Sequence, residues 1–140
     1  RALRDPGGTD GVEPPAGLAA LDTLVARSRA GGLDVEVEEK GVRRALPPGV
    51  DQAAYRILRE ALTNASRHGA GTARVELSYG ASALELVVTN PLPLGAAEQR
   101  AGHGIVGMQE RAALVDGTLA AGVEGRSFGV RATLPYREAS

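Results

Sequence analysis

Residues 57–69 read ILREALTNASRHG, and the fold and the chemistry of this chain both turn on that stretch. At about 100° per residue, the angle set by a 3.6-residue turn, Asn64, Arg67 and His68 fall within roughly 80° of Glu60. Beside them Ala54, Ile57, Leu58, Ala61, Leu62 and Ala65 make an apolar stripe, so the spacing predicts a helix that buries one side and works with its edge. An uncharged carboxamide oxygen suits Mg²⁺, a hard ion that keeps several waters and takes few ligands from protein, which makes Asn64 the metal candidate. Glu60, one turn earlier, is placed to orient a metal-bound water or accept a proton. Arg67 can hold phosphate oxygens, and His68 can stack on a base. The competing reading is a solvated charged face, because Arg56 and Glu60 are also an i,i+4 ion pair. Asn64 resists that reading, since Asn favours caps and turns and its place inside an apolar-periodic helix asks for a reason.

The rest of the chain narrows the classes of function. Its 140 residues are enough for one domain with a hydrophobic core. A formal charge of −1, a pI near 6.2 and few aromatic residues give neither the basic field nor the stacking platforms of a nucleic-acid binder. No apolar run reaches the roughly 18 residues of a membrane span, and the opening is polar and Gly-rich, so the expectation is a soluble piece making no direct membrane contact. The absence of cysteine removes disulfides and thiolate metal sites, which fits the cytoplasm. With His68 and His103 as the only histidines, a multi-histidine metal centre is excluded.

Residues 1–17 carry Pro6, Gly7, Gly8, Gly11, Pro14, Pro15 and Gly17 and read as a linker or mobile arm, followed by a domain over 18–136 and a tail at 137–140. Leu18, Leu21, Leu24 and Val25 predict a short packing helix over 18–30, closed by Gly31 and Gly32. LDVEVEE at 33–39 alternates as a half-buried strand does, and 42–46 is expected to add a second strand before Pro47 and Pro48. The motif helix then runs from about Val50 to His68, ended by Gly69 and Gly71. ARVELSYG at 73–80 and ALELVVTN at 83–90 predict an antiparallel hairpin turning around residues 80–82. Residues 91–103 have the length and composition of a lid, and a helix is expected from Gly104 to Gly117. TLAAGV and FGVRATLP close the domain as two strands about a turn at 124–126. This order implies an α+β two-layer sandwich, a mixed and mostly antiparallel sheet with helices on one face.

Gly102, Gly104 and Gly107 spell GxGxxG. A dinucleotide fold requires a strand immediately before those glycines, and here a proline-bearing loop precedes them. Glycines that open a helix still let backbone amides face phosphate oxygens, and they also supply hinge conformations.

EALTNASRHG followed at this distance by GHGIVGMQER, with a hairpin and a loop between, resembles the ATP-binding catalytic domain of bacterial sensor histidine kinases, Bergerat-fold (GHKL) ATPases related to the gyrases. The likeness covers about Leu18 to Pro135, and among these kinases it points to the nitrate-sensor and desaturase-sensor subfamily of actinobacterial type. It implies ATP and Mg²⁺ as cofactors, with Asn64 as metal ligand, Glu60 as the catalytic acidic group near the γ-phosphate, and Arg67 and His68 near the nucleotide. From the second motif it implies Gly102, His103, Gly104, Ile105, Gly107 and Met108 at the lid and the helix start. The family also has an Asp in a DxGxG box that recognises the adenine amine. Here the chain reads Asn90-Pro91-Leu92-Pro93-Leu94, so Asn90 is expected to offer a neutral acceptor and to hold adenine less tightly, by on the order of 1 kcal/mol.

Neither histidine stands in a phosphoacceptor context, so the resemblance implies a protein histidine kinase, inactive in isolation, whose γ-phosphoryl goes to a histidine on a dimerisation domain outside this sequence. The implied partners are that domain, a response regulator and a second copy in a full-length homodimer. Two other readings stand beside it: an anti-sigma-factor serine kinase, which shares the asparagine box, and a degenerate nucleotide-sensing module, suggested by residues 90–94.

Overall fold

The computed structural model describes residues 20–93 and 104–136. They run α1 (Leu21–Ala30), β1 (Asp34–Lys40), α2 (Pro48–His68), β2 (Thr72–Tyr79), β3 (Ala83–Pro91), α3 (Ile105–Ala113), β4 (Thr118–Glu124) and β5 (Ser127–Pro135). The strands form one five-stranded sheet in the order β1-β2-β3-β5-β4. β1 lies parallel to β2, and every other pairing is antiparallel. This is the expected mixed α+β sandwich.

Alternation along the strands decides which face is covered. Ala73, Val75, Leu77 and Tyr79 of β2, Leu84, Leu86 and Val88 of β3, and Phe128, Val130, Ala132 and Leu134 of β5 all point into the core. α2 lies on them with its predicted stripe. Ala54, Ile57, Leu58 and Ala65 are 0% exposed and Ala61 and Leu62 are 2% exposed, each larger side chain contributing about 1.5–3 kcal/mol by its burial. On the opposite face Arg74 of β2 gathers Glu36 (3.2 Å), Glu76 (3.1 Å) and Glu38, so one guanidinium ties β1 to β2 among carboxylates that would otherwise repel.

α2 opens at Pro48, two residues before the expected start, because proline preset near helical φ fits the first turn, where its missing N–H is no loss. The strand expected at 42–46 is absent. Gly41 adopts φ 83° with its α-carbon so close to β2 that a Cβ would sit 2.7 Å from the Tyr79 carbonyl oxygen, and the chain leaves the sheet there. Arg44 then stacks over the Tyr136 ring, 3.9 Å from its centroid, and the segment passes as coil into α2. The other elements stand within a few residues of their predicted bounds. Most of the predicted lid, residues 94–103, lies outside the described residues, as do the 1–17 arm and the 137–140 tail.

Candidate functional site

The start of α3 meets α2 at Glu60, and the end of β3 meets the C-terminus of α2 at Gly69. Glu60 and Asn64 are half-buried along the edge of α2, as the helical spacing requires if the apolar stripe faces the sheet. Arg67 is exposed and His68 half-buried in the last turn, where positive charge also complements the helix dipole.

α3 brings the second motif to the first. Gly104 precedes it in the left-handed conformation, φ 84°, and a Cβ there would lie 2.6 Å from Glu60 Oε2. Glycine is thus required at that position by backbone angle and by space. Glu60 faces this helix start, whereas Arg56 lines a cavity with Gln52, Ala53, Arg111 and Leu114 near the other end of α2, so the charged-face reading does not describe the pair. No side chain caps α3, and the first closing bond runs from Met108 N–H to Gly104 O at 3.0 Å. Among the described residues the amides of the first turn have no partner, and such amides can meet an anion. Gly107 is exposed, and a Cβ on it would meet nothing within 4 Å. Met108 is 1% exposed and packs in the core, with half-buried Ile105 against it, so both side chains anchor α3. Gly102 and His103 lie outside the described residues.

Asn90, 3% exposed, is, tyrosines apart, the one buried polar side chain among the described residues. Its Nδ2 donates to the Pro91 carbonyl at 3.1 Å, and the same oxygen accepts the Ala70 N–H at 3.0 Å. A Cβ on Gly69 would come within 2.7 Å of that Nδ2. Asn90 is therefore docked beside the end of α2, against Gly69, the residue that follows His68. Sequence reasoning reads Gly69 only as a helix stop and Pro91 only as one residue of the altered box at 90–94. The one available signal was the adjacency of a polar residue and a proline at a strand end.

No cluster of three or more His, Cys, Asp or Glu side chains forms a metal cage among the described residues, a geometry that a single carboxamide ligand does not need. Among the described residues no helix is long and apolar enough to cross a membrane.

This fold is that of histidine kinase catalytic domains. The catalytic domain of histidine kinase ThkA matches with a TM-score of 0.60 over 84% of this chain and 88% of its own, at 12% identity. Acinetobacter baumannii histidine kinase AdeS matches with a TM-score of 0.62 over 86% of this chain and 62% of its own, at 14% identity. No family model matches. In sequence the chain is 36% identical over 110 residues to the sensor histidine kinase YxjM of Bacillus subtilis, a likeness that takes in 76% of this chain. The chain spans about a quarter of that relative, 27% of its length.

Proposed function

We propose that this chain is the ATP-binding catalytic domain of a two-component sensor histidine kinase of the nitrate-sensor and desaturase-sensor type, acting with Mg²⁺ in the cytoplasm. The observation that carries the reading is the contact of Gly104 with Glu60, which joins two motifs 44 positions apart into one cleft edge. The residues present fit the nucleotide. Along the axis of α2 the distance from Glu60 to Gly69 is about 13 Å at 1.5 Å per residue, comparable with the reach from a γ-phosphate to a purine. Asn64 lies between them as the metal ligand, the uncapped first turn of α3 offers amides to phosphate, and Asn90 stands at the base end.

When bound, the Mg²⁺–triphosphate would supply the transferable γ-phosphoryl group and neutralise its charge. The chain's own part is positioning. Glu60 orients the acceptor side, Arg67 and the α3 amides hold phosphate oxygens, and His68 borders the nucleotide. The acceptor is a histidine on a dimerisation domain outside this sequence, and a response regulator follows it.

Calorimetric titration with ATP tests this reading. Binding should require Mg²⁺ in the wild type, and Asn64→Ala should abolish the Mg²⁺ dependence. Glu60→Gln, joined to the phosphoacceptor domain, should bind ATP and fail to phosphorylate. Absence of heat and of any thermal shift at millimolar ATP would sink the proposal. Tight ATP binding with no phosphorylation by the joined wild type would favour the degenerate sensing module, the reading that Asn90-Pro91 suggests.

A further inference from the structure

We infer that the free edge of β4 is a pairing surface for a second copy of this chain, joined antiparallel about a two-fold axis at Ala121 so that two five-stranded sheets run on as one.

The two edges of the sheet are finished differently. β1 carries Asp34, Glu36, Glu38, Glu39 and Lys40 among its seven residues, and Arg29 of α1 donates to its Val35 carbonyl at 2.6 Å. Charges and covers of this kind keep an edge strand from pairing with another chain. β4 reads Thr118-Leu119-Ala120-Ala121-Gly122-Val123-Glu124, with one charge, at its end, and no proline. An edge left so is a template for a further strand.

Two contacts show which backbone groups of β4 face out. Its hairpin with β5 closes on Glu124 and Ser127 through the two-residue turn Gly125-Arg126, with Gly125 at φ 60°, so that pair and every second pair beyond it bond across to β5. Leu119, Ala121 and Val123 are left with N–H and C=O pointing away. Gln109 Nε2 of α3 agrees, reaching Leu119 O at 3.4 Å, and this is the one hydrogen bond on that side among the described residues. Only one antiparallel register of the strand against its own copy engages all three residues. With Ala121 opposite Ala121, Leu119 meets Val123, and every outward N–H finds a carbonyl across the axis. Leu119 O keeps a second lone pair for the incoming Val123 N–H.

The side chains agree on both faces of that seam. On the helix side Val123, 37% exposed, comes against Leu119 of the copy, and Val106, 62% exposed and one turn from Gln109 on α3, flanks them. On the other face Ala120 meets Gly122 and Thr118 meets Glu124, so no like charges are opposed. The same operation on β1, centred on Val37, sets Glu36 against Glu38 and is repelled. A second copy is thus the occupant that this edge itself specifies. One strand pair buries less than the roughly 1,000 Å² of a stable interface, so the contact is weak in dilute solution and is read by trapping it.

The chain has no cysteine, so Ala121→Cys places a single thiol at the axis. Hydrogen-bonded antiparallel partners lie about 5.5 Å apart at Cα, within the roughly 4.4–6.8 Å that a disulfide spans. At about 1 mM chain under mild oxidation, Ala121→Cys should form a disulfide-linked dimer at least about ten-fold faster than Ala81→Cys, an exposed thiol in the β2–β3 turn. Adding Val123→Lys, which sets a charge against Leu119 of the copy, should bring the rate down to that of the control while circular dichroism shows the fold retained. In wild type, amide exchange at Ala121 and Val123 should slow as chain concentration rises, whereas Ala120 and Gly122, already bonded to β5, should not change. Cross-linking of Ala121→Cys no faster than the control, or a rate that Val123→Lys leaves unchanged, would overturn the inference. So would exchange at Ala121 and Val123 that is independent of concentration, since the contact would then not be a strand ladder.

Discussion

Gly104 and Gly107 look alike as letters in a glycine motif, yet the structure gives them opposite energetics. At Gly104 an alanine meets a left-handed backbone, φ 84°, and sits 2.6 Å from Glu60 Oε2. Gly104→Ala should cost about 1–2 kcal/mol of stability from the backbone alone and push the Glu60 carboxylate from its place. Gly107 lies inside α3 with open space at its Cβ, so Gly107→Ala should raise stability by roughly 0.5–1 kcal/mol. If its face meets phosphate, the same methyl lowers ATP affinity. Urea midpoints and ATP titrations on both variants should show stability moving in opposite directions while affinity falls in each. Unchanged affinity in both would detach the glycines from nucleotide. The motif itself was legible in sequence because its spacing is local. Which glycine serves the fold and which the ligand depends on Glu60 approaching from another helix, and no local pattern records that.

α2 was the most legible element, because a stripe repeated over 21 residues leaves little ambiguity about period or face. Leu62, 2% exposed, fills the middle of the layer between α2 and the sheet. Leu62→Ala should destabilise by about 2–5 kcal/mol in chemical denaturation. A loss below about 1 kcal/mol would mean that α2 is not clamped on the sheet as described. Short segments were less legible. Residues 42–46 have the composition of a strand, but β1 already occupies the sheet edge and Gly41 turns the chain away, a decision made by contact with Tyr79 and not by propensity. At the end of β3 the sequence pointed to a broken box. The strand instead continues to Pro91, whose register partner is Ser127, and its carbonyl becomes the support for Asn90. A proline can end a strand this way because it keeps its acceptor while giving up only a donor.

Across the whole molecule the sheet has two unlike ends. Asn90 and the candidate site stand at one, and Tyr79, register partner of Leu84, stands at the other, some six residues or about 20 Å along β3. The Tyr79 hydroxyl is buried without a hydrogen-bond partner among the described residues. Burial first, then the Glu39 carboxylate, push its pKa above the ordinary tyrosine value, with the Arg43 charge opposing. The folded state therefore holds this proton more tightly than the unfolded chain. The resulting stabilisation is fully present below about pH 10, the unfolded value, and is lost as pH rises through the raised folded value. Tyr79→Phe should flatten that alkaline loss in urea midpoints measured from pH 7 to pH 11. At neutral pH it should change stability by no more than about 1 kcal/mol, because it deletes one buried hydroxyl beside Arg43 and keeps the ring that packs in the core. ATP affinity at pH 7 should not move, since the change lies at the end of the sheet away from Asn90. Parallel alkaline curves for variant and wild type would show that another group governs the transition, and a fall in ATP affinity would show that the two ends of the sheet are coupled.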